Sequence, residues 1–342
     1  MKELLRRLLK YAAYLVATIV ILLAIAVGLF RLFLPRLPEY QDDIKNWAST
    51  AIGMQVEFSG MDARWGLRGP ELEFYDAELI QVGNGARVVA AEEVRVGIGF
   101  MRLLLDRTLI IDRLVIRDTG IDVQQMPDNS FRIQGIPIDE LLGERPASPQ
   151  GNVTIEIVGE DIELRFMQPG DERPQFFEIP GVSVSFNTAR IAADADIRLP
   201  DELGRQLKLS AMQVLSMPAD LRRWDIGVDG DDLVLAGWSD LVGGRYRLAG
   251  GQGDLELALA VGVDGVSNAS AQIDFEDVAL AGTQTFAISG HVEADVSDSD
   301  WLIAANELVL GFDDHTWPET TITVEASVDD AGKIVMLDTR AS

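Results

Sequence analysis

The chain has 342 residues, no cysteine and a formal net charge of −26. The acidic excess lies beyond residue 36, where the chain has 23 basic and 54 acidic side chains. Such a surface repels the phosphates of nucleic acid. The lack of cysteine excludes disulfides and thiolate chemistry, and His291 and His315 are the only histidines, so the sequence predicts no metal site, no cofactor and no enzyme.

The first predicted element is a membrane-spanning helix. Residues 11–30 are apolar except for Thr18, and a helix of that length is ~30 Å long, about the thickness of a bilayer core. The four basic residues before it place the N-terminus in the cytoplasm by the positive-inside rule. The residues predicted to mark this anchor are Tyr11, Tyr14, Leu22, Leu29 and Phe30.

A cleaved secretory signal is the alternative interpretation of this segment. Ala24-Ile25-Ala26 has the small-x-small form of a cleavage site, but the apolar run continues past it to Leu34. A cleavage site normally follows the apolar region, so the sequence favours an uncleaved anchor. A buried core helix is a third interpretation, which the basic N-terminus disfavours.

Residues 39–52 predict an amphipathic helix, because their apolar side chains recur at helical spacing and Gly53 is a natural stop. The helix either caps the end of a sheet or lies on the membrane surface. Its acids Glu39, Asp42 and Asp43 favour the cap.

From residue 55 onward the dominant period is two, which predicts strands. Strands are expected at 71–82 and 87–98, joined by a turn at 83–85, and at 108–117 and 121–125, split by a turn at 118–120. Short helical pieces are predicted at 100–105 and 137–142. Residues 143–151 are the best linker candidate, and further turns are predicted at 229–231, 250–254 and 264–265.

Beyond the linker, apolar and polar residues alternate cleanly, which predicts antiparallel sheet with one apolar and one polar face. Composition favours a second sheet over the apolar face, in a sandwich or barrel. The alternative is an open groove whose apolar face is covered by lipid chains. The candidate groove residues are Ile155, Ile157, Ile162, Leu164, Leu255, Leu257, Leu259, Val261, Ile273 and Phe275.

Three short motifs approach known ligand-binding signatures without meeting them. Residues 250–254 resemble a calcium-binding nonapeptide with its aspartate one position early, so a turn is the better interpretation. Residues 298–300 lack the glycine and glutamate of an EF-hand loop, and residues 83–85 lack the third glycine of a dinucleotide site.

One block of sequence is distinctive enough to carry a family resemblance. It comprises residues 34–38, 44–49, 52–56 and 60–72, the last of which includes Ala63-Arg64-Trp65-Gly66 and Gly69-Pro70. The chain resembles the AsmA-like family of Gram-negative envelope proteins, most closely its YhdP subfamily. Residues 94–135 and Trp317-Pro318 also fit, so the resemblance covers essentially the whole chain.

The resemblance implies a mainly β fold: one N-terminal transmembrane helix, then an elongated, twisted antiparallel β-sheet groove with short helices near its start. It implies a single-pass bacterial inner-membrane protein with a periplasmic body that carries phospholipid between inner and outer membranes. This reverses the preference for a sandwich in favour of the groove. The other hypothesis is a membrane-anchored periplasmic scaffold for envelope assembly, with a closed β-sandwich body and other envelope proteins as partners.

The predicted organisation has four parts. Residues 1–36 form the basic tip and anchor, 37–142 the AsmA-like α+β cap and first strands, 143–151 the linker, and 152–342 the repetitive sheet body. YhdP-like proteins are several times longer than this chain, and residues 336–342 stop inside a strand pattern. We therefore expect an N-terminal portion of such a protein.

Overall fold

The structure is a computed structural model in which the chain separates into two compact units, Met1–Leu114 and Val115–Ser342. It describes residues 39–52, 54–66, 69–81, 85, 87–99, 111–128, 130–137, 154–171, 173–218, 221–242, 247–263, 265–280, 285–297, 300–312, 315–328 and 334–342, with single positions between 10 and 28. The predicted domain boundaries at 36 and at 143–151 lie outside the described residues and stay predictions.

Between residues 39 and 98 of the first unit, the described residues form one helix and a small antiparallel sheet. The elements are α1 (Gln41–Ile52), β1 (Gln55–Glu57), β2 (Gly60–Trp65), β3 (Pro70–Ile80) and β4 (Arg87–Ile98). Strand β3 pairs with β1, β2 and β4. The predicted helix and both predicted strands are confirmed within two residues of their expected ends.

Helix α1 packs against β1, as expected of a cap at the end of a sheet. The Lys45 Nζ lies 3.0 Å from Glu57 Oε2, and the amide of Val56 donates to Ser49 Oγ at 2.9 Å. The Lys45 ammonium also lies 4.8 Å from the centre of the Phe58 ring, which is itself buried. These contacts support the cap interpretation of α1.

The second unit is formed almost entirely by strands. Strand β5 (Ile111–Gln125) begins in the first unit and continues into the second, and after it come two short strands, a long series of strands and one helix. They are β6 (Phe131–Ile133), β7 (Ile136–Pro137), β8 (Ile155–Met167), β9 (Gln175–Phe186), β10 (Arg190–Arg198), β11 (Gln206–Val214), β12 (Trp224–Val234), α2 (Leu235–Val242), β13 (Leu248–Gly262), β14 (Gly265–Leu280), β15 (Phe286–Ser297), β16 (Asp300–Phe312), β17 (His315–Thr316), β18 (Thr320–Val328) and β19 (Ile334–Ala341).

From β8 onward the strands pair antiparallel in chain order. Strand β5 pairs with β6 and β8, and from β8 to β16 each strand pairs with the next. Strand β16 then pairs with β17 and β18, and β18 with β19. Among the described residues of this unit, no pairing joins β19 back to β5–β7, so the sheet is open. The mainly β, open-sheet prediction is confirmed, and these strands do not form the closed sandwich.

Several strands contain a single acidic residue in the left-handed conformation. The positive φ values lie between 48° and 55° at Asp76, Asp118, Asp161, Asp232, Asp277 and Glu307. Aspartate tolerates this conformation better than most residues, and one such residue interrupts the pairing locally without ending the strand, an irregularity that we call a bulge. Two predicted turns are therefore wrong, because residues 118–120 lie within β5 and residues 229–231 within β12.

Each bulge changes which residues face the same side. A Cβ placed on Gly159 would collide with the Cδ1 atom of Ile162, so positions 159 and 162 share a face although they are three residues apart. In regular pleated structure they would face opposite sides. The left-handed Asp161 between them turns Ile162 towards the side occupied by Ile155 and Ile157.

The predicted turn at 250–254 is also wrong, because these residues belong to β13. They lie next to α2, a helix that the sequence analysis did not predict. Helix α2 packs on β13, and the Trp238 Nε1 donates to the carbonyl of Leu203 at 2.7 Å. Beneath it, Leu233, Phe275 and Val278 form the buried cluster of this unit, each no more than 7% exposed.

The predicted membrane helix lies largely outside the described residues. Within the described part of the chain, no helix is both long enough and apolar enough to cross a membrane. Tyr11 and Tyr14 are helical and exposed, whereas the other predicted anchor residues, Leu22, Leu29 and Phe30, are not described. The helical segment predicted at 100–105 and the turn at Gly83-Asn84 also lie outside the described residues.

The bulge at Asp161 makes a direct prediction for stability. Asp161→Val should lower the free energy of unfolding by about 1–2 kcal/mol, because a β-branched side chain is strained at positive φ. Glu163→Val is the matched control, since it removes a similar exposed acid from the same strand at a residue without positive φ. Urea unfolding of the full chain in detergent measures both, and equal free energies for the two variants would contradict the role assigned to Asp161.

Candidate functional site: the apolar face of the sheet

The ten predicted groove residues share one face of the second unit's sheet. Directly opposed residues of paired strands point to the same side, so the register identifies each face. Ile157 opposes Val184, Leu257 opposes both Val228 and Ala271, and Phe275 opposes both Gly253 and Ile288. The other predicted residues lie on the same side through the same registers and the Asp161 bulge.

Two rows of apolar side chains cross this face from β8 to β18. One row consists of Ile157, Val184, Ala193, Ala211, Ile226, Leu259, Ala269, Ala294, Ile303 and Val324. The adjacent row consists of Gly159, Val182, Ala195, Leu209, Val228, Leu257, Ala271, Val292, Ala305 and Ile322. No polar side chain interrupts either row, and we call these residues together the apolar face.

The middle of this face is not evident from the sequence pattern. Strands β10 and β11 contribute small residues, such as Ala193, Ala195 and Ala211, which carry a weak hydrophobic signal. The signal that was available is the alternation of alanine with aspartate in β10, where Ala193 and Ala195 flank Asp194. Alanine is poor evidence for a strand on its own, so only the register connects the two halves.

Helix α2 covers one end of the apolar face. Leu235 and Trp238 of this helix pack on the buried cluster, together with Leu255 and Ile273 of the sheet. Among the described residues of this unit, no other helix packs on the face. Away from α2, Leu209, Ile226, Val228, Leu257 and Leu259 are therefore only half-buried.

The opposite face of the same sheet is polar. One row across it consists of Glu160, Gly181, Asp196, Lys208, Asp229, Glu256, Gln272, His291 and Asn306. A cavity of about 900 Å³ lies on this face, where small residues such as Ser210, Gly227 and Ser270 leave space between charged ones. The Lys208 ammonium lies 3.5 Å from Asp229. This cavity is thus on the face opposite to the predicted groove residues.

The two histidines lie apart from each other. His291 belongs to the polar face, where its Nε2 lies 3.3 Å from Glu293 Oε1, and His315 is exposed in β17. Across the described residues, no group of three or more potential ligands is placed to hold a metal ion.

The first unit carries its own charged network on the polar side of β2–β4. Glu73 is buried, and its Oε1 lies 2.7 Å from Arg64 Nη1 and 3.1 Å from Arg95 Nε.

A hydrogen bond to Glu71 raises the pKa of the Arg64 guanidinium, while partial burial and the adjacent Glu73 carboxylate raise the pKa of Tyr75. Hydrogen bonds from Gln55 and Lys45 lower the pKa of Glu57. These ion pairs and hydrogen bonds connect the strands on their polar side, and the opposite face of the same strands is apolar.

The apolar face itself offers binding and no covalent chemistry. Its rows contain only aliphatic side chains and glycine, which can contact hydrocarbon and cannot donate or accept hydrogen bonds. Large unbroken apolar surfaces on soluble domains usually mark a binding surface.

A protein-family model described as "YhdP protein" matches residues 1–339. A search of curated proteins gives no match.

Proposed function

The chain belongs to the YhdP family, and from that premise we propose that it is a membrane-anchored carrier of phospholipid. The acyl chains lie along the apolar face, and the headgroups stay in water at its open side. The observation that supports this most is the pair of uninterrupted apolar rows that cross ten strands.

Hydrocarbon contact explains why such a face suits a lipid. Exposing an acyl chain to water costs about 0.8 kcal/mol for each CH₂ group, so unassisted transfer of a phospholipid through water is slow. An acyl chain that lies on half-buried residues such as Leu257 and Leu259 exposes less of its own surface to water. Nine strand spacings from β8 to β18 give a path of roughly 43 Å at ~4.8 Å each.

The anchor belongs to the same proposal. Residues 11–30 cross the bacterial inner membrane once, with the basic N-terminus in the cytoplasm and the body in the periplasm. Helix α1 and the first strands then follow the anchor in the chain, next to the membrane that supplies the lipid. The carrier uses no cofactor and makes no covalent bond to its cargo, and it serves outer membrane biogenesis by moving phospholipid outward or inward.

Photo-crosslinking in cells tests contact with lipid. Benzoylphenylalanine at position 259 should give lipid adducts, because Leu259 lies on the apolar face. Position 258 is the matched control, since Ala258 is the adjacent residue on the polar face and is exposed. Mass spectrometry of the purified chain identifies the adducts.

The same experiment separates the carrier from the scaffold. Adducts to other envelope proteins from position 259, with no lipid adducts, would favour a scaffold. Lipid adducts of equal yield from positions 258 and 259 would show that the chain merely lies near membrane lipid.

A further inference from the structure

The end of the second unit's sheet that lies opposite α2 exposes apolar side chains. The connection between β11 and β12 exposes Met217 and Leu221, and the turn after β13 exposes Val263, each between 48% and 73% exposed. These two connections are neighbours, because Trp224 at the start of β12 opposes Val261 near the end of β13. The exposed side chains therefore lie along the ends of adjacent strands.

Trp224 connects these exposed side chains to the apolar face. Ile226 belongs to one of the apolar rows, and Trp224 precedes it by two residues in a regular part of β12, so both lie on the same side of the sheet. The Trp224 side chain is half-buried. Tryptophan is enriched where hydrocarbon meets hydrated headgroups, because its ring is apolar and its N–H is polar.

Arginines surround the same end of the sheet. Arg222 and Arg223 directly precede β12, and Arg190 begins β10, opposite Val214 of β11. The Arg223 Nε lies 3.2 Å from Asp225 Oδ1, but both side chains are exposed, and exposed ion pairs contribute little. Guanidinium groups bind phosphate well, so these arginines within a strongly acidic body suit a surface that presents phosphate.

Hydrogen bonds within the β11–β12 connection hold its backbone. The Arg222 Nε donates to the carbonyl of Met217 at 3.0 Å, and the amide of Leu221 donates to the carbonyl of Pro218 at 3.0 Å. Less conformational entropy is therefore lost when Met217 and Leu221 become buried by a partner.

A second group of exposed aromatic side chains has different surroundings. Phe312 and Trp317 lie at the end of the sheet where α2 packs, with their ring centres 6.4 Å apart. Asp313, Asp314 and Glu319 are their neighbours in the sequence, and no lysine or arginine occurs between residues 307 and 328. These acids repel phosphate, so charge favours the end that carries the arginines.

We infer that the end of the sheet opposite α2 docks on the surface of a phospholipid bilayer. This docking edge comprises Arg190, Met217, Leu221, Arg222, Arg223 and Val263. Its apolar side chains enter the headgroup region, and its guanidinium groups contact lipid phosphates. Docking does not depend on the carrier function. Where that function holds, docking also gives acyl chains a route past Trp224 to the apolar face, and this consequence rests on the proposed function.

Fluorescence quenching tests the docking edge. The chain has no cysteine, so Met217→Cys and Val263→Cys each carry one nitrobenzoxadiazole label. The full chain is reconstituted in vesicles of equimolar dioleoyl phosphatidylethanolamine and dioleoyl phosphatidylglycerol that contain doxyl-labelled lipid, and free vesicles of the same composition are added. Docking on either membrane is then seen, and we expect both labels to lose fluorescence relative to vesicles without doxyl lipid.

The matched control is a label at Asp201→Cys. Asp201 is exposed in the turn between β10 and β11, at the opposite end of the sheet, and its label should stay unquenched. Equal quenching at all three positions would overturn the inference. Unquenched labels at positions 217 and 263 would also overturn it, and would leave the carrier function, which is tested at position 259, standing.

Leu221→Asp tests the apolar part of the docking edge. In the Val263→Cys chain it should lower the ratio of docked to undocked protein about tenfold or more, the change that corresponds to burial of one leucine side chain. Phe176→Asp is the control, because it places the same charge at an exposed apolar residue at the other end of the sheet. Equal loss in both variants would show that added negative charge alone prevents docking, and would overturn the inference.

Replacing Arg222 and Arg223 together with glutamine tests the charged part. On vesicles that contain phosphatidylglycerol the docked fraction should fall about tenfold or more relative to the undocked one, since each arginine near an anionic surface contributes about a fivefold gain. On vesicles of dioleoyl phosphatidylcholine alone the same variant should behave much like the unmodified chain. Equal loss on both membranes, or no loss on either, would overturn the role given to these arginines.

Discussion

Leu257→Glu is expected to reduce the phospholipid that copurifies with the full chain about tenfold or more. Leu257 lies in the middle of an apolar row, between Val228 of β12 and Ala271 of β14. A carboxylate placed there must either lose its hydration against an acyl chain or hold water on the path. Introducing an acidic residue into a hydrocarbon environment costs about 2.5–3.5 kcal/mol, which corresponds to more than a tenfold loss of affinity.

The matched control for this substitution is Ala258→Glu. Ala258 is the next residue in β13 and lies on the polar face, exposed at the cavity that also contains Asp229 and Glu256. The same side chain is introduced one position away, and copurified lipid should stay at the level of the unmodified chain. Lipid extraction followed by mass spectrometry measures both variants, with thermal unfolding as a check of folding.

Two outcomes would contradict the proposal that the apolar face carries lipid. If Leu257→Glu folds and keeps its lipid, the apolar face is not the lipid path. If both variants lose lipid equally, the effect comes from added negative charge on an already acidic body and does not depend on the face.

Phe275→Ala is expected to lower the free energy of unfolding by about 3–5 kcal/mol, the usual cost of truncating a buried phenylalanine. Phe275 is 7% exposed and packs with Leu233 and Val278 beneath α2. Removing its ring leaves a cavity under Trp238, whose own hydrogen bond fixes the helix to the carbonyl of Leu203. Helix α2 should therefore detach from the sheet before the strands unfold.

Phe176→Ala is the control for Phe275→Ala, because the Phe176 side chain is 53% exposed. We expect a change within about 0.5–1 kcal/mol for this surface position. Urea unfolding followed by tryptophan fluorescence and by circular dichroism measures both variants. Equal destabilisation by the two substitutions would show that the cluster beneath α2 does not stabilise the second unit.

The bulges explain how a sheet with a strict two-residue period keeps one face apolar along long strands. Each bulge bends its strand and resets the alternation, as at Asp161 in β8 and Asp277 in β14. On β15, a Cβ on Gly290 would stand 3.1 Å from the Cα of Leu308, next to the bulge at Glu307. Here, an acidic residue in the left-handed conformation on one strand stands beside a glycine on the next, and the glycine lets the two backbones approach closely.

The sequence by itself limited the classes of function, indicated the family and predicted most of the strands. Acidic composition, the absence of cysteine and the apolar segment 11–30 bounded the function classes, and the block around Trp65 indicated the family that the family comparison confirms. Alternation of apolar and polar residues also predicted the strands and placed ten candidate residues, from Ile155 to Phe275, that share one face. These features are local, and local patterns can be recognised in the sequence without knowledge of the fold.

The tertiary structure decided what lies next to what. Aspartate with glycine signals a turn in isolation, so residues 118–120 and 229–231 were predicted as turns, yet they lie within β5 and β12. In β12, Asp229 and Gly230 pair with β11 on one side and with β13 on the other. Helix α2 is eight residues long, too short to be stable alone, and it forms because Leu235 and Trp238 bury against the sheet. The Gln168 Nε2 donates to the carbonyl of Leu241 and so ties the β8–β9 hairpin to this helix, and no pattern in the sequence records such a contact.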